Sequence, residues 1–522
     1  MTGQTDPVRE NERTMTDSED ILAQIWKEVL KVEQVNPDDD FFSLGGDSLL
    51  AITVVGAAAE RDIPLTLLDL FKNPTLRGCR QVVARAGDPQ PSVELLSPLD
   101  QARVPEGVER AWPAARLQLG LIYESLLSAG GAYVDVISRR VNRPLDPSAL
   151  RAALDLMARR HPVLRSRFDL ASFSEPMQLV ETATVIPLEL ADADEHEEVM
   201  RRLAEPFDPE TAPLLRVHAV PSGPDAFRFS YAFHHAILDG WSEAVFFNEL
   251  VRSYAGLLEG DVPEFPQPIS YAEFVRLERA ALADEETVRY FHHLWGEPSE
   301  RQETAPKRTV RCTAGLALPE TYSRTLTEHA AAWGLPVKSL LLTVCCAAVG
   351  AVEGTTTPVV SMVVNGRPEM TGSEATLGLF LNQLPLRLDL RGTTWREAAR
   401  RALDAERGLL PHRRFPHSEL RRVLGPEPFT ANFNYVHFHP RDDLLAAGLV
   451  ASEEDMRDYT SLAISVEALN DPLAGGLGLR VTADAERFGE DFAQRLLHAM
   501  RTAVSAMVEN PDEQLLTINA EP

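Results

Sequence analysis

Residues 87–109 read GDPQPSVELLSPLDQARVPEGVE, a run so dense in proline, glycine and charge that no helix or strand period survives it. It splits a 522-residue chain into two very unequal parts, and any fold has to respect that split. Ahead of it, Ile21, Leu22, Ile25, Trp26, Val29 and Leu30 recur on one face of a helix. Asn36-Pro37-Asp38-Asp39-Asp40 ends that helix. A second helix begins at Ser48 and turns Leu49, Ile52 and Val55 inward. A short apolar stretch, Leu65 to Phe71, and a last helix from Thr75 to about Ala86 complete a small four-helix unit. The expected divisions are a disordered N-terminus over 1–17, the helical unit over 18–88 and a linker over 89–110.

Beyond the linker the period alternates between helix and strand for some 400 residues. VISRRVNR and FRFSYAFHH read as strands, and PSALRAALDLMARR as a helix opened by a Pro-Ser cap. A second proline- and charge-rich stretch, EPSERQETAPKR at 297–308, predicts two halves, 111–296 and 297–522. The apolar fraction of 44% is that of an ordinary globular protein. No run of eighteen apolar residues occurs, and Leu340–Val352 reads as a buried helix, so no membrane partner is expected. The first twenty residues are polar and acidic and lack the profile of a secretion signal. Cys79, Cys312, Cys345 and Cys346 have neither metal-site nor disulfide-framework spacing, which predicts reduced thiols and a cytoplasmic location. A formal net charge of −27 argues against nucleic acid as the ligand, because phosphates need cations.

Two short stretches carry chemistry. In FFSLGGDSLL, at 41–50, Gly45 and Gly46 permit a tight turn that presents Ser48 at a helix N-terminus, where an anion is favoured. Taken alone, those residues also fit a plain helix cap by Asp47 or Ser48. In HHAILDG, at 234–240, two histidines stand at a strand end before a turn. Neighbouring strand side chains point to opposite faces, so only one of His234 and His235 can face a given cleft. A neutral imidazole is suited to taking a proton from an amine attacking a thioester. Metal binding lacks a third ligand at zinc-helix spacing, so no metal is expected. Core histidines in an ordinary fold remain the other reading of the motif by itself.

The longer strings resemble known families. DDDFFSLGGDSLLAI, with the Trp26 helix before it and Phe71-Lys72-Asn73-Pro74-Thr75 after it, resembles the peptidyl carrier domains of nonribosomal peptide synthetases. That resemblance implies an all-α four-helix bundle with 4′-phosphopantetheine attached covalently to Ser48 by a phosphopantetheinyl transferase. HHAILDG resembles the HHxxxDG signature of the condensation domains related to chloramphenicol acetyltransferase. WPAARLQLGLIYESLL, RRHPVLRSRF, QPISYAEFV, VVNGRPEMTGSEATLGLFLNQLPLRL and LLPHRRFPHSEL resemble that family's other motifs in order. The implied fold is an α/β pair of acyltransferase-like lobes in a V-shaped pseudo-dimer, with a tunnel between them. By position, His235 is implied as the catalytic histidine, Gly240 as the residue opening space near the acceptor, and His234 as structural. Asp239 is implied as the acid of an ion pair, for which Arg367 in NGRPE is the expected partner.

The implied function is amide-bond formation: the carrier presents a donor aminoacyl or peptidyl thioester, and the condensation domain joins it to the α-amine of an acceptor on a downstream carrier. Upstream synthetase domains would deliver the donor, and an adenylation domain would act in cis or in trans. Secondary-metabolite synthesis, of a siderophore or an antibiotic, is the implied setting. Asp47 and Gln118-Leu119-Gly120 resemble the subtype that takes a donor ending in a D-residue. Epimerisation domains also keep HHxxxDG and share the FNY of FTANFNYVHF, but the Glu-Gly-His-Gly-Arg motif they resemble one another in is not found here. A non-catalytic recruitment scaffold is the third reading. Arg116 and Arg165 are further candidates for lining the tunnel.

Overall fold

The structure is a computed structural model that describes residues 20–83, 94–127, 133–191, 195–295, 310–425, 429, 431–436, 439–457, 462–471 and 476–515. The expected disordered segment 1–17 and the stretch 297–308 lie outside the described residues.

Four helices form the N-terminal bundle: one over 20–30, then Ser48–Ala59, Leu67–Lys72 and Leu76–Val83. Aromatic rings tie them together. Trp26 meets Phe41 edge-on at 5.1 Å, Phe41 meets Phe42 at 5.3 Å, and Phe42 meets Phe71 at 4.9 Å, a chain of T-shaped contacts. Thr66 and Asp69 close a capping box on the third helix, each side chain satisfying the other's backbone N–H.

The linker expected over 89–110 is folded in part. Ser97 caps a short helix, Pro98–Gln101, whose proline sits at the first turn where its missing N–H costs nothing. Buried Asp100 accepts from Ser174 N at 2.9 Å, and a strand, Val108–Pro113, already pairs with Met177–Glu181. Composition marked this segment as a loop because capping prolines and linker prolines look alike in sequence.

Two large sheets follow. The first lobe's sheet runs, in spatial order, Val450–Arg457, Val134–Val141, Phe227–His234, Leu215–Pro221 and Leu188–Leu190. The second lobe's sheet runs Leu381–Arg387, Val359–Asn365, Ala431–Val436, Ile464–Asp471, Gly476–Asp484 and Arg311–Ala317. Helices Pro147–Arg160 and Gly240–Glu259 pack together in the first lobe's core. Helix Val337–Glu353 fills the second, between Phe492–Glu509 and Trp395–Leu409. The cap of Pro147–Arg160 is Asp146, which accepts from Ser148 N and Ala149 N, rather than the Pro-Ser pair.

The division at 297 is not clean. Strand Val450–Arg457, from the second half, pairs antiparallel with Val134–Val141 and becomes the edge of the first lobe's sheet. Its Asp455 lies 2.8 Å from His196 Nε2, and Arg457 lies 2.9 Å from Glu197, both on the first lobe. Helix His439–Ala446 leads into that strand and packs on Gly240–Glu259. Among the described residues, no single helix is long and apolar enough to cross a membrane.

Truncating Phe41 to alanine removes the ring between Trp26 and Phe42 at a fully buried position. The expected cost is about 3–5 kcal/mol, comparable to the whole stability of a small domain. Amide hydrogen exchange should rise across 20–83 in Phe41→Ala and stay at its wild-type level across 133–191.

Candidate active site

The two histidines are separated by strand register. Phe227–His234 pairs antiparallel with Val134–Val141, setting His234 opposite Val134 and Phe233 opposite Asp135. The ladder runs one residue further, because His235 N donates to Tyr133 O at 2.8 Å. His235 therefore shares a face with Asp135, two residues from Tyr133, while His234 shares the other with Val134.

His234 is buried beside Val134, Val136 and Ala232. Its Nδ1 accepts from Ala236 N at 3.1 Å, which locks the turn. Burial, and then the neighbouring His235, lower its pKa to about 4, so it stays neutral at neutral pH.

His235 is partly exposed, at 23% of its side chain. Its Nδ1 lies 2.7 Å from Leu238 O and 3.5 Å from an Asp135 carboxylate oxygen. A carbonyl oxygen can only accept, so Nδ1 carries the proton and Nε2 presents its lone pair. Asp135 reinforces that tautomer and would stabilise the imidazolium formed on protonation. Sequence reasoning did not single out Asp135. The signal was there, a lone acid in the otherwise apolar strand start YVDVIS, but the pairing that brings it to His235 joins residues a hundred positions apart.

Asp239 and Arg367 are both fully buried and lie 3.3 Å apart, Oδ1 to a guanidinium nitrogen. Each is further satisfied. Asp239 Oδ1 accepts from Ser242 N at 2.7 Å, which caps helix Gly240–Glu259, and Oδ2 accepts from Phe380 N at 3.1 Å. Arg367 donates to Ser373 O at 2.7 Å, Thr376 O at 2.6 Å and Ser242 Oγ at 2.7 Å, and its guanidinium stacks 4.0 Å from the Phe380 ring. Burial lowers the arginine's pKa and Asp239 opposes that shift. Gly240 is the first residue of the capped helix. Since the N–H of Ser242 is committed to Asp239, any oxyanion contact at this helix end falls to residues before it.

Segment 366–380, which carries Arg367, is clamped again at Glu369, whose carboxylate pairs with Arg413 and Arg414. Burial would raise that carboxyl, but the two guanidiniums hold it down at about 2. A second charged cluster crosses the lobes: Glu243 meets Arg139 at 2.5 Å and Arg441 at 2.8 Å, and these arginines keep it at about 2 against burial. Of the two tunnel candidates, Arg165 is buried and spent on Glu109, at 2.9 Å, and Ala158 O. Arg116 keeps a side chain more than a third exposed, 3.8 Å from Glu419.

On the bundle, Gly45 takes a left-handed φ of +95°, and Gly46 lies against Phe41 so closely that a Cβ would fall 2.3 Å from the ring. Asp47 is the helix cap, accepting from Leu49 N at 2.8 Å and Leu50 N at 2.9 Å. Ser48 is then the first residue of its helix, and that helix does not depend on it for a cap. A serine there, at the positive end of a helix dipole, fits a phosphodiester-linked group such as phosphopantetheine.

Residues 108–521 match the family described as Condensation domain, and residues 20–79 match the one described as Phosphopantetheine attachment site. The AMB antimetabolite synthetase AmbE of Pseudomonas aeruginosa is 31% identical over an alignment covering 97% of this chain and 25% of that protein. The chain thus spans a quarter of that relative's length. The first condensation domain of the calcium-dependent antibiotic synthetase superposes with a TM-score of 0.65 at 22% identity, covering 78% of this chain and 98% of that one. The X-domain from teicoplanin biosynthesis superposes at 0.63 with 20% identity, covering 78% and 97%. At such identities the likeness is one of fold.

Arg367→Ala leaves Asp239 buried without its cation, and should cost about 3–5 kcal/mol in denaturant unfolding. The depressed His234 gives a pH signature. Stability present above the unfolded pKa of 6.5 is lost as pH falls through the folded value of about 4. His234→Asn keeps an acceptor for Ala236 N and cannot titrate there, so its unfolding free energy should fall less between pH 7 and pH 4.5.

Proposed function

The chain belongs to the condensation-domain family, with a phosphopantetheine-attachment domain ahead of it, and from that premise we propose that it transfers an aminoacyl or peptidyl group held on its own Ser48 to the α-amine of an acceptor on another carrier domain, forming an amide. The observation that carries this reading is the His235 geometry: Nδ1 held as a donor by Leu238 O, Asp135 behind it, and Nε2 left to receive a proton. 4′-Phosphopantetheine bound at Ser48 would supply a terminal thiol to hold the donor as a thioester.

The remaining roles belong to the chain's own residues. His235 takes the amine proton at Nε2 and Asp135 offsets the charge that results. Asp239 and Arg367 hold the turn between His235 and Gly240 in place, and Gly240 opens the helix end beside the acceptor. His234 fixes the strand end. Upstream domains supply the donor, an adenylation domain in cis or in trans activates the amino acids, and a phosphopantetheinyl transferase primes Ser48. The product class proposed is a peptide secondary metabolite, the kind of product named for the antimetabolite and antibiotic synthetases this chain resembles.

We further propose that the donor ends in a D-residue or glycine. Asp47 and Gln118-Leu119-Gly120 support this. At Gly120 an added Cβ would meet nothing within 4 Å, so the site has room for a larger side chain that this chain does not use.

Intact-protein mass spectrometry tests the reading. The chain is loaded with peptidyl-coenzyme A by a phosphopantetheinyl transferase, then mixed with an aminoacyl acceptor carrier. Wild type should gain the peptidyl arm and pass the peptide on, and Ser48→Ala should gain nothing. A loaded wild type that keeps its peptide, with solvent deuterium entering the residue's α-carbon, would mark an epimerase instead. Loaded peptide that neither moves nor exchanges, across D-, L- and glycine-ending donors, would mark a scaffold. For the subtype, Gly120→Arg should shift the ratio of D- to L-donor transfer at least tenfold toward L while leaving the melting temperature unchanged.

A further inference from the structure

We propose that Gly56 is a specificity-determining residue: its missing side chain is what lets this condensation domain seat its own carrier, and a carrier with a larger residue there would be refused. The inference rests on the carrier–condensation reading above and adds to it the feature that chooses the donor carrier.

Gly56 sits inside helix Ser48–Ala59, where glycine is less favourable than alanine. It takes no left-handed angle and it caps nothing. Its surroundings supply the reason. A Cβ at Gly56 would lie 2.8 Å from Met370 C, 2.8 Å from Thr371 N and 3.2 Å from Met370 Cα. All three are backbone atoms, so no rotamer of a neighbour could make room. Leu49, two helical turns earlier and on the same face, packs against the first lobe's core cluster. At the helix start, Asp47 lies near Tyr435 of the second lobe, whose phenol is raised first by its burial and then by the Asp47 charge. One helix face thus meets both lobes, with Ser48 at its leading end.

Shape, rather than charge, makes this contact selective. An ion pair at its rim, Lys31 with Asp443 at 3.3 Å, is exposed on both sides and contributes little. The platform itself is rigid, because Met370 and Thr371 follow Glu369, clamped by Arg413 and Arg414, and precede Ser373 and Thr376, whose carbonyls hold Arg367.

Two measurements on the whole chain test this. The first is amide hydrogen exchange over 366–376 in wild type, Gly56→Ala and Gly56→Leu. Docking should protect the segment in wild type, and protection should fall slightly in Gly56→Ala and clearly in Gly56→Leu. The second is single-turnover transfer to an acceptor carrier, with the donor loaded on Ser48 or offered as a free peptidyl-pantetheine thioester. Transfer from Ser48 should fall severalfold in Gly56→Ala and more than tenfold in Gly56→Leu, while transfer from the free thioester does not fall. Adding Met370→Ala should not restore Gly56→Leu, since the clash is with backbone. Gly56→Ala, which a helix interior favours, guards against loss through misfolding. Unchanged exchange in Gly56→Leu, or unchanged transfer from Ser48, would overturn the inference. Exchange that responds in a wild type unable to transfer would leave the seat standing and overturn the function proposed above.

Discussion

The buried pair of Asp239 and Arg367 is the interaction on which the arrangement of the two lobes depends. Moving two charges out of water is costly, and their mutual attraction offsets that cost only when the remaining hydrogen-bonding capacity is also met. Here it is met. Asp239 spends its carboxylate on the helix end at Ser242 and on Phe380 N, and Arg367 spends its guanidinium on two carbonyls and a hydroxyl. One partner comes from the first lobe, immediately before helix Gly240–Glu259, and the other from the segment 366–380 of the second. Because neither tolerates loss of the other, the pair fixes where that segment lies against the histidine turn.

Everything near the chemistry is built outward from that point. The turn from His235 to Asp239 has one end tied to the sheet by Tyr133 O and the other tied to Gly378 O, so His235 has little freedom in where it points. On the other side of Arg367, Glu369 and its two arginines fix the backbone that the carrier helix touches at Gly56. The carrier helix and the histidine turn therefore both rest on one stiff segment. Strand Val450–Arg457 and the Glu243 cluster bind the lobes together a second time.

What was legible in the sequence was mostly local. The Gly-Gly turn and the helix behind Ser48 depend on residues within a few positions of one another, and so does the strand–turn–helix around HHAILDG. Arg367 was legible only through family resemblance, since nothing in NGRPE itself points to a residue 128 positions earlier. Asp135 went unread because its contact with His235 comes from strand register, a property of two strands and not of either one. The strand that crosses between lobes was hidden for the same reason: VASEEDMR carries no mark of which sheet it will join. The folded end of the linker shows a different limit, in that proline at a helix start and proline in a tether have the same composition.

The claim at the centre is that His235 performs the proton transfer while the ion pair beside it only holds it in place. The direct measurement is the single-turnover rate of peptide transfer from loaded Ser48 in His235→Ala, taken beside its urea unfolding curve. The account predicts a rate lower by about 10²–10⁴-fold, the usual worth of a positioned general base, with an unfolding midpoint equal to that of the wild type. Transfer at the wild-type rate would contradict it, and so would a loss of rate that merely followed a loss of stability.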